Sequence, residues 1–393
     1  MNGRTTAIVL GAGASYCYSK GCENIPTQAD IVGRLFYRAN ANSGEGFPDL
    51  IEDFGLCHSF RLGQYLRRKF NIPEQSSVEN AKLDFWTILQ QRGYTLESLY
   101  EAVEADRSPS AREVLADFES IIRAAVRKPT VYRKRQNVCE HHSALCEVLE
   151  PTDYVIDFNW DSVMSDALLY ESHFWFPATG FGRPCLPCMR PGQKAYNVSS
   201  LVTLFHVHGS VVLFEIERGA ETEPRQLVFL GPDMGFNLPM IREIEAFIDE
   251  EMKAGRQAEA VVNYEGRIGL GHKWIDGRWL TPIFVPPSKY KSDYTHWYVR
   301  AMKKGIHARL PGTRMLAIIG YSFPDADRPH LQDFFVPGVL DAETEVVVVN
   351  PSNDDAEYRR RVTETFPRLT RFNFSMSDFR MFVEQYPVIR ALR

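Results

Sequence analysis

The stretch that most constrains the fold of this chain runs from Tyr154 to Asp161 and reads Tyr-Val-Ile-Asp-Phe-Asn-Trp-Asp. Its first residues are apolar and suit a strand with both faces buried, and a helical pattern follows at once. Asn159 and Asp161 are two positions apart in an extended segment, so they lie on the same face. A strand that ends in polar side chains before a helix is typical of open α/β sheets, where ligands bind at the carboxyl ends of the strands.

Four other apolar runs also end in small or polar residues. The run from Thr5 leads into Gly11–Ser15, that from Leu201 into His208, that from Met315 into Gly320 and Ser322, and that from Glu345 into Asn350. Most of these runs precede a helical pattern, which predicts parallel strands joined by crossover helices. We therefore expect an α/β fold with a doubly wound parallel sheet. Its carboxyl edge would gather the five strand ends into one nucleotide site.

We expect a single domain over residues 1–393 with a large helical insertion at 50–150, between the first and second strands of the sheet. Apolar residues recur there at helical spacing, and prolines separate the segments. The predicted helices are Arg61–Phe70, Leu83–Gln91, Leu96–Ala105, Ala111–Val126 and Val138–Leu149.

Smaller insertions are expected at 180–200 and 232–280. The first includes a predicted loop at Gly180–Gly192 that contains Cys185 and Cys188. A hairpin of Val211–Ile216 with Gln226–Leu230 is expected after the His208 run. Two more ligands at similar spacing would be needed for a zinc site and none follow, so no metal is predicted.

The composition excludes several classes of function. The chain has 393 residues, 44% hydrophobic and 24% charged, which is ordinary for a globular protein with a large core. The net charge is -5 and the basic run at 127–135 is short, so direct nucleic-acid binding is not indicated. No apolar run approaches the ~20 residues of a membrane span, and no signal peptide is visible. Seven scattered cysteines suit a reducing compartment, so we expect a cytoplasmic protein.

Gly11 and Gly13 directly follow the first strand. Glycines at this place let the backbone turn tightly and approach a phosphate, and the next helix offers free N–H groups to the anion. Tyr16 occupies the position of the third glycine in the dinucleotide fingerprint, so a tight turn without any ligand stays open as the alternative.

The polar residues of the central strands have different expected roles. Asn159 can donate and accept hydrogen bonds at once, and His208 beside Gly209 can act as a general base near neutral pH. His206 is expected to be structural. Asp161 would either orient Asn159 or contact the ligand, or else cap the following helix, and the sequence leaves both open.

Taken in order, five short motifs resemble those of the Sir2 (sirtuin) family, and more closely those of bacterial Sir2-like proteins of antiphage defence. They are Gly11–Ser15, Phe158–Asp161, His208–Ser210, Gly320–Ser322 and Val349–Pro351. The resemblance implies a Rossmann-like domain that binds NAD. It places Ala12, Gly13 and Ser15 at the pyrophosphate, Asn159 with Asp161 near the nicotinamide ribose, His208 as the catalytic histidine, Gly320 and Ser322 at the phosphates, and Asn350 near the adenosine ribose.

Two departures from the family pattern count against protein deacylation. No cysteine follows Cys188, so the four-cysteine zinc module after the His-Gly motif is missing. The segment Asn24–Gln28 also lacks the aspartate and arginine of the family's Gly-Ile-Pro-Asp-Phe-Arg sequence.

The resemblance therefore implies a defence effector that hydrolyses NAD⁺ to nicotinamide and ADP-ribose, with NAD as substrate. Such a chain would act as a homo-oligomer, with a HerA-like ATPase as a candidate partner. A sensor that binds NAD or ADP-ribose without cleaving it, and an NAD-dependent protein deacylase, are the alternatives. The pair of Asn159 and His208 favours chemistry over binding alone, because a pure binder would not require it.

Overall fold

A computed structural model describes residues 5–16, 55–71, 89, 91–131, 138–188, 200–216, 225–231, 253, 273–275, 278–288, 296–324, 327–335 and 340–391. The helices are α1 (Ala12–Tyr16), α2 (Gly55–Lys69), α3 (Leu96–Glu104), α4 (Pro109–Val131), α5 (Glu140–Val148), α6 (Val163–Glu171), α7 (Trp297–Arg309), α8 (Arg328–Phe334), α9 (Ala356–Thr365) and α10 (Phe379–Ala391). The strands are β1 (Thr5–Leu10), β2 (Tyr154–Asp157), β3 (Cys185–Cys188), β4 (Thr203–His206), β5 (Gly209–Ile216), β6 (Leu227–Leu230), β7 (Lys273–Ile275), β8 (Arg278–Phe284), β9 (Thr313–Ile319), β10 (Glu345–Val349) and β11 (Phe372–Met376).

The main sheet has six strands in the order β11-β10-β9-β1-β2-β4, and every neighbouring pair is parallel. Along the chain the order starts in the middle at β1, runs outward to β4, and then returns to β9 and runs outward the other way. This is the doubly wound, Rossmann-like order, with the topological switch point between β1 and β9. The predicted fold class is confirmed.

The composition of the central strands explains why they occupy the core. Val346 to Val349 in β10 are at most 1% exposed, and so are Ala7 to Leu10 in β1. Consecutive strand residues point to opposite faces, so a fully buried run means that both faces of the sheet are covered. A strand with alternating polar residues would not be stable in a sheet that is covered on both faces.

A second sheet lies outside the predicted architecture. Its order is β3-β6-β5-β8-β7, with β3 and β6 parallel and the other pairs antiparallel. The predicted hairpin of β5 and β6 is confirmed. The predicted loop at Gly180–Gly192 was wrong at Cys185–Cys188, which form β3. A four-residue segment with a proline becomes a strand only because β6 is beside it, and its own sequence does not carry that information.

The run from Leu201 to Ser210, expected as one strand, is divided between the two sheets. β4 ends at His206 and β5 begins at Gly209, so His208 lies in the turn between them. Gly209 has φ +74°, and a Cβ there would lie 2.1 Å from the carbonyl oxygen of Ile283. A glycine is therefore required for the chain to pass from one sheet to the other.

The expected helical insertion between the first two strands of the sheet comprises α2, α3, α4 and α5 among the described residues. α2 and α3 pack on α4, while α5 packs on α6 and α10. α4 begins with a proline, which suits a helix start, and continues past the predicted end at Val126 to Val131. The predicted helix Leu83–Gln91 lies almost wholly outside the described residues, as does most of the insertion at 232–280. Within the described part of the chain, no helix combines the length and apolarity needed to cross a membrane.

Candidate functional site

The carboxyl ends of five adjacent strands form one edge of the main sheet. In spatial order they belong to β10, β9, β1, β2 and β4. The residues predicted for the site follow these strands in the same order: Asn350, then Gly320 and Ser322, then Gly11 to Ser15, then Asn159 with Asp161, and finally His208. The structure thus brings the predicted strand ends to one edge, centred on the switch point.

The glycines at the switch point hold two loops against each other. The Gly11 N–H donates to the carbonyl of Ile319 (2.9 Å) and the Gly13 N–H to the carbonyl of Gly320 (2.8 Å). Gly320 has φ +64°, and a Cβ on it would lie 2.2 Å from the backbone nitrogen of Ala14. Close packing between the two loops therefore demands glycine at these positions, whether or not a ligand binds.

This packing changes which groups could meet a phosphate. The N–H groups of Gly11, Gly13 and Ala14 all donate to protein carbonyls. Ala12, the first residue of α1, and Ser322 are exposed at the edge. A pyrophosphate at this edge would meet the backbone of Ala12 and the hydroxyl of Ser322, and the two glycines would act by letting it approach. Their predicted contacts with NAD stay predictions.

Asn159 joins the loop after β2 to the loop after β1. Its Nδ2 donates to the carbonyl of Gly11 (3.1 Å) and to Ser15 Oγ (3.2 Å), and the residue is 6% exposed. The Gly11 carbonyl can only accept, which assigns the orientation of the amide. The Nδ2 group of the amide therefore donates its hydrogen bonds within the protein. Oδ1 is the atom that can meet a substrate hydroxyl or water, so Asn159 offers an acceptor rather than both functions.

The backbone carbonyl of Phe158, the residue before Asn159, holds the ring of His208. Its Nδ1 lies 3.0 Å from the carbonyl oxygen of Phe158. A carbonyl can only accept, so Nδ1 carries the hydrogen and Nε2 carries the lone pair of the neutral imidazole. The ring stacks on His330 of α8, with 5.2 Å between the centroids and an angle of 27°. His208 is 3% exposed, so the surrounding structure defines its position.

Two other predicted site residues have structural partners. Asp161 Oδ1 accepts the N–H of Val163, the first residue of α6 (2.9 Å), in a turn just before the helix, and the N-cap itself is Ser162. Asn350 Oδ1 accepts the N–H of Ser352 (2.9 Å), while its Nδ2 donates to the carbonyl of Tyr321 (3.2 Å). Asn350 therefore ties the loop after β10 to the loop after β9.

Aromatic rings line the edge between these polar groups. Trp160 donates its indole N–H to the carbonyl of Val285 (3.0 Å) and packs on Phe284, with 5.1 Å between the centroids. Phe158 contacts both His208 and Tyr321 edge to face, each with centroids 5.2 Å apart. Sequence reasoning missed these rings and His330, because only the tertiary fold brings them to the polar strand ends.

Helix α3 of the insertion reaches the same edge. Its last residue, Glu104, accepts a hydrogen bond from Ser288 Oγ (2.6 Å) in the loop after β8. Burial chiefly, and then the carboxylates of Asp327 and Glu97, raise the pKa of the Tyr321 phenol, which places Glu97 of α3 near the loop after β9. Glu97 Oε1 is buried and has no hydrogen-bond partner among the described residues. α3 therefore contacts the loop after β8 of the second sheet and lies near the loop after β9 at the edge, and the sequence held no sign of this role.

No three histidine, cysteine or acidic side chains in the described ranges come together in a way that could hold a metal ion. The side chain of Cys185 is buried.

Comparison with known proteins adds little. No family model and no curated protein matches the chain. Among solved structures, Sir2Tm bound to a propionylated peptide matches over 99% of this chain and 94% of its own length, with 11% sequence identity and a TM-score of 0.30. A similarity of that size carries no argument about the site. The fold assignment depends on the strand order of the sheet itself.

Proposed function

We propose that this chain is an NAD⁺ glycohydrolase that cleaves the bond between nicotinamide and ribose with water. The observation that carries the proposal is the pairing of Asn159 with His208. Both side chains are buried on adjacent loops at the switch-point edge, and hydrogen bonds to Gly11 and Phe158 define their orientations. An acceptor oxygen and a basic imidazole nitrogen on neighbouring loops are the two groups that a water-activating site requires.

The edge has features that fit a dinucleotide. Glycine loops at a doubly wound switch point allow a pyrophosphate to approach the backbone, and Ala12 and Ser322 are exposed there. The aromatic rings of Phe158, Trp160 and Tyr321 make the surroundings of the polar strand ends apolar, as in most ligand sites. Asn159 and His208 lie on the β2 and β4 side of the switch point, so the scissile bond would be placed on that side.

In the proposed reaction, water attacks the anomeric carbon as the bond to nicotinamide breaks, and nicotinamide leaves as a neutral molecule. His208 Nε2 takes the proton of the attacking water, and Nδ1 keeps its hydrogen bond to Phe158. Asn159 Oδ1 accepts a hydrogen bond from that water or from a ribose hydroxyl. Its oxygen also favours the positive charge that develops on the ribose.

The biological part of the proposal comes from the sequence resemblance. The chain would be an antiphage-defence effector that depletes cellular NAD. It would act in the cytoplasm as a homo-oligomer, with a HerA-like ATPase as candidate partner. Phage infection or that partner would release an activity that the cell must otherwise restrain.

The test is NAD⁺ cleavage by the purified chain, measured with and without an acetyl-lysine peptide and alongside Asn159→Ala and His208→Ala. Nicotinamide and ADP-ribose formed without peptide, and lost in both variants, would support the hydrolase. Cleavage only with peptide would support the deacylase. Because a partner can gate the activity, the same comparison is made in infected cells that express the chain with its genomic neighbour. If the NAD⁺ level stayed unchanged in all of these conditions while the chain bound NAD⁺ tightly, the chain would be a sensor and not a hydrolase.

A further inference from the structure

A buried aspartate–histidine pair lies at the strand ends that lead into the site. Asp157 is the last residue of β2 and His206 the last residue of β4, and the two are paired in the register of the sheet. Both side chains are fully buried, and His206 Nδ1 lies 3.3 Å from Asp157 Oδ2. Each comes two residues before a residue of the proposed reaction, Asn159 in the loop after β2 and His208 in the turn after β4.

Asp157 acts on the Asn159 loop through its other oxygen. Oδ1 accepts the backbone N–H of Asn159 at 2.9 Å, which closes a tight turn just after the strand. The backbone carbonyl of Asp157 also accepts the N–H of Val207, the residue before His208. One aspartate therefore contacts both loops that carry the reacting side chains.

His206 completes the link on the β4 side. Its backbone carbonyl accepts the hydroxyl of Tyr298 in α7 (2.8 Å), and its ring lies near that of Phe181, with 6.0 Å between the centroids. Burial lowers the pKa of His206 to about 3. Burial, and then the nearby Asp161 carboxylate, raise the pKa of Asp157 well above its usual range. The pair is thus kept without net charge in a place where a lone charge would be costly.

We infer that Asp157 and His206 are positioning residues, which hold the loops of Asn159 and His208 at the spacing that NAD⁺ cleavage requires. The inference rests on the proposed function. Neither side chain reaches the edge, so neither would touch the substrate. The Asp157 side chain would act through the Asn159 N–H, and His206 would act along the backbone through Val207 to His208.

The experiment compares two kinds of substitution in the full chain. Asp157→Asn keeps an oxygen for the Asn159 N–H, and His206→Gln keeps a polar side chain beside Asp157. Asp157→Leu removes that oxygen, and His206→Leu removes the polar side chain. We expect the leucine variants to lower kcat about 10- to 100-fold, as small misplacements do, with KM within about threefold. The asparagine and glutamine variants should keep kcat within about threefold of the wild type. Asp153→Asn, at the other end of β2, is the matched control and should lower only the unfolding temperature.

A merely structural role would instead lower the amount of folded protein and leave kcat per folded molecule unchanged. Wild-type kcat in the leucine variants would overturn the inference. So would a loss in Asp157→Asn as large as that in Asp157→Leu, because charge rather than position would then matter.

A second readout does not depend on turnover or on the leucine variants folding. In full-length protein labelled with ¹⁵N-histidine, Asp157→Asn should shift the ring signals of His206 and leave His208 protonated at Nδ1. Asp153→Asn should change neither ring. If the His206 signals did not shift in Asp157→Asn, the two side chains would not interact and the inference would be wrong. If the wild type never cleaves NAD⁺, the proposed function fails while the spectrum still decides whether the pair exists.

Discussion

The two ends of strand β2 carry buried aspartates with different surroundings. Asp153, at the amino end, accepts the N–H groups of Thr6 (3.0 Å) and Glu150 (2.9 Å), the hydroxyl of Tyr386 (3.0 Å) and the guanidinium of Arg390. These donors come from the first strand, the preceding turn and the last helix. The amino end of the sheet is therefore closed by a carboxylate with a full set of donors.

Asp157, at the carboxyl end, has fewer partners. One oxygen accepts the Asn159 N–H, while Oδ2 faces an imidazole at 3.3 Å in a contact that lacks good hydrogen-bond geometry. His206 Nε2 likewise has no hydrogen-bond partner among the described residues. One end of the strand therefore has a carboxylate whose hydrogen bonds stabilise the fold, while the other keeps polar groups with incomplete hydrogen bonding, at some expense in stability.

The largest expected effect separates activity from stability at the carboxyl end. His208→Ala and Asn159→Ala should each lower NAD⁺ cleavage about 10²- to 10⁴-fold, because each removes a group that acts on the reacting atoms. The unfolding temperature should change by only a few degrees, roughly as for a loss of 1 kcal/mol. Nicotinamide release and thermal unfolding, measured on the same samples, check this.

His141→Ala is the control for this experiment, since His141 lies in α5, the helix that leads to the amino end of β2. It should retain the wild-type turnover. If the His208→Ala variant stayed active, the reaction would not take place at the carboxyl edge. The proposed contrast between the two ends of β2 would then be wrong.

At the amino end of β2 we expect the reverse, a loss of stability without a loss of activity. Asp153→Ala leaves Arg390 and the buried Tyr386 without their shared acceptor, and breaking a buried pair in this way costs about 3–5 kcal/mol. The free energy of unfolding, measured with denaturant, should fall by that amount, while kcat per folded molecule stays the same. Arg314→Ala breaks an exposed ion pair with Asp341 and should cost at most about 1 kcal/mol. Equal losses in the two variants would show that the Asp153 network does not close the sheet.

Gly320 tests whether the carboxyl edge also contains purely structural positions. Gly320→Ala places a Cβ against the Ala14 nitrogen at a positive φ, so we expect a loss of about 1–3 kcal/mol in unfolding free energy. Gly63→Ala is the matched control, because this helical glycine in α2 has nothing within 4 Å of its Cβ position. That variant should gain about 0.5–1 kcal/mol. Equal stabilities for the two variants would mean that the two loops do not pack as closely as described.

The smallest expected effect is a change in the pH dependence of stability. Since the pKa of His206 falls from 6.5 to about 3 on folding, the unfolded chain binds an extra proton between these values. This term lowers stability by about 1.4 kcal/mol for each pH unit below 6.5. The raised pKa of Asp157 acts in the opposite direction, because the folded carboxyl keeps a proton that the unfolded one releases as pH rises above about 4.

The two terms oppose each other between about pH 4 and 6.5 in the wild type. Asp157→Asn removes one of them and leaves Asp161 and Tyr298, the other ionisable groups near the pair, in place. The unfolding free energy of the variant should therefore fall more steeply than that of the wild type as pH drops from 6.5 to 4, by about 1.4 kcal/mol per unit. Denaturant unfolding at a series of pH values measures the difference between the slopes. Parallel slopes would mean that His206 and Asp157 do not titrate as a buried pair.

Much of the main sheet could be predicted because its strands carry their own signal. β10 reads Glu-Val-Val-Val-Val, and a run of this kind is stable only between two covering layers. The second sheet could not be predicted in the same way. β3 and β7 are short, and their extended conformation depends on pairing with β6 and β8.

The sequence by itself determined the strand ends and their polar residues, since strand, turn and helix signals are local and follow one another in the chain. Only the tertiary structure decided what those residues contact. It placed the N–H groups of Gly11 and Gly13 on the opposite loop and directed the amide of Asn159 inward. It also set His208 against His330, which is more than a hundred positions away in the chain. The physical reason is that hydrogen bonds and ring contacts between loops depend on the order of strands across the sheet, and that order becomes fixed only when the whole core packs.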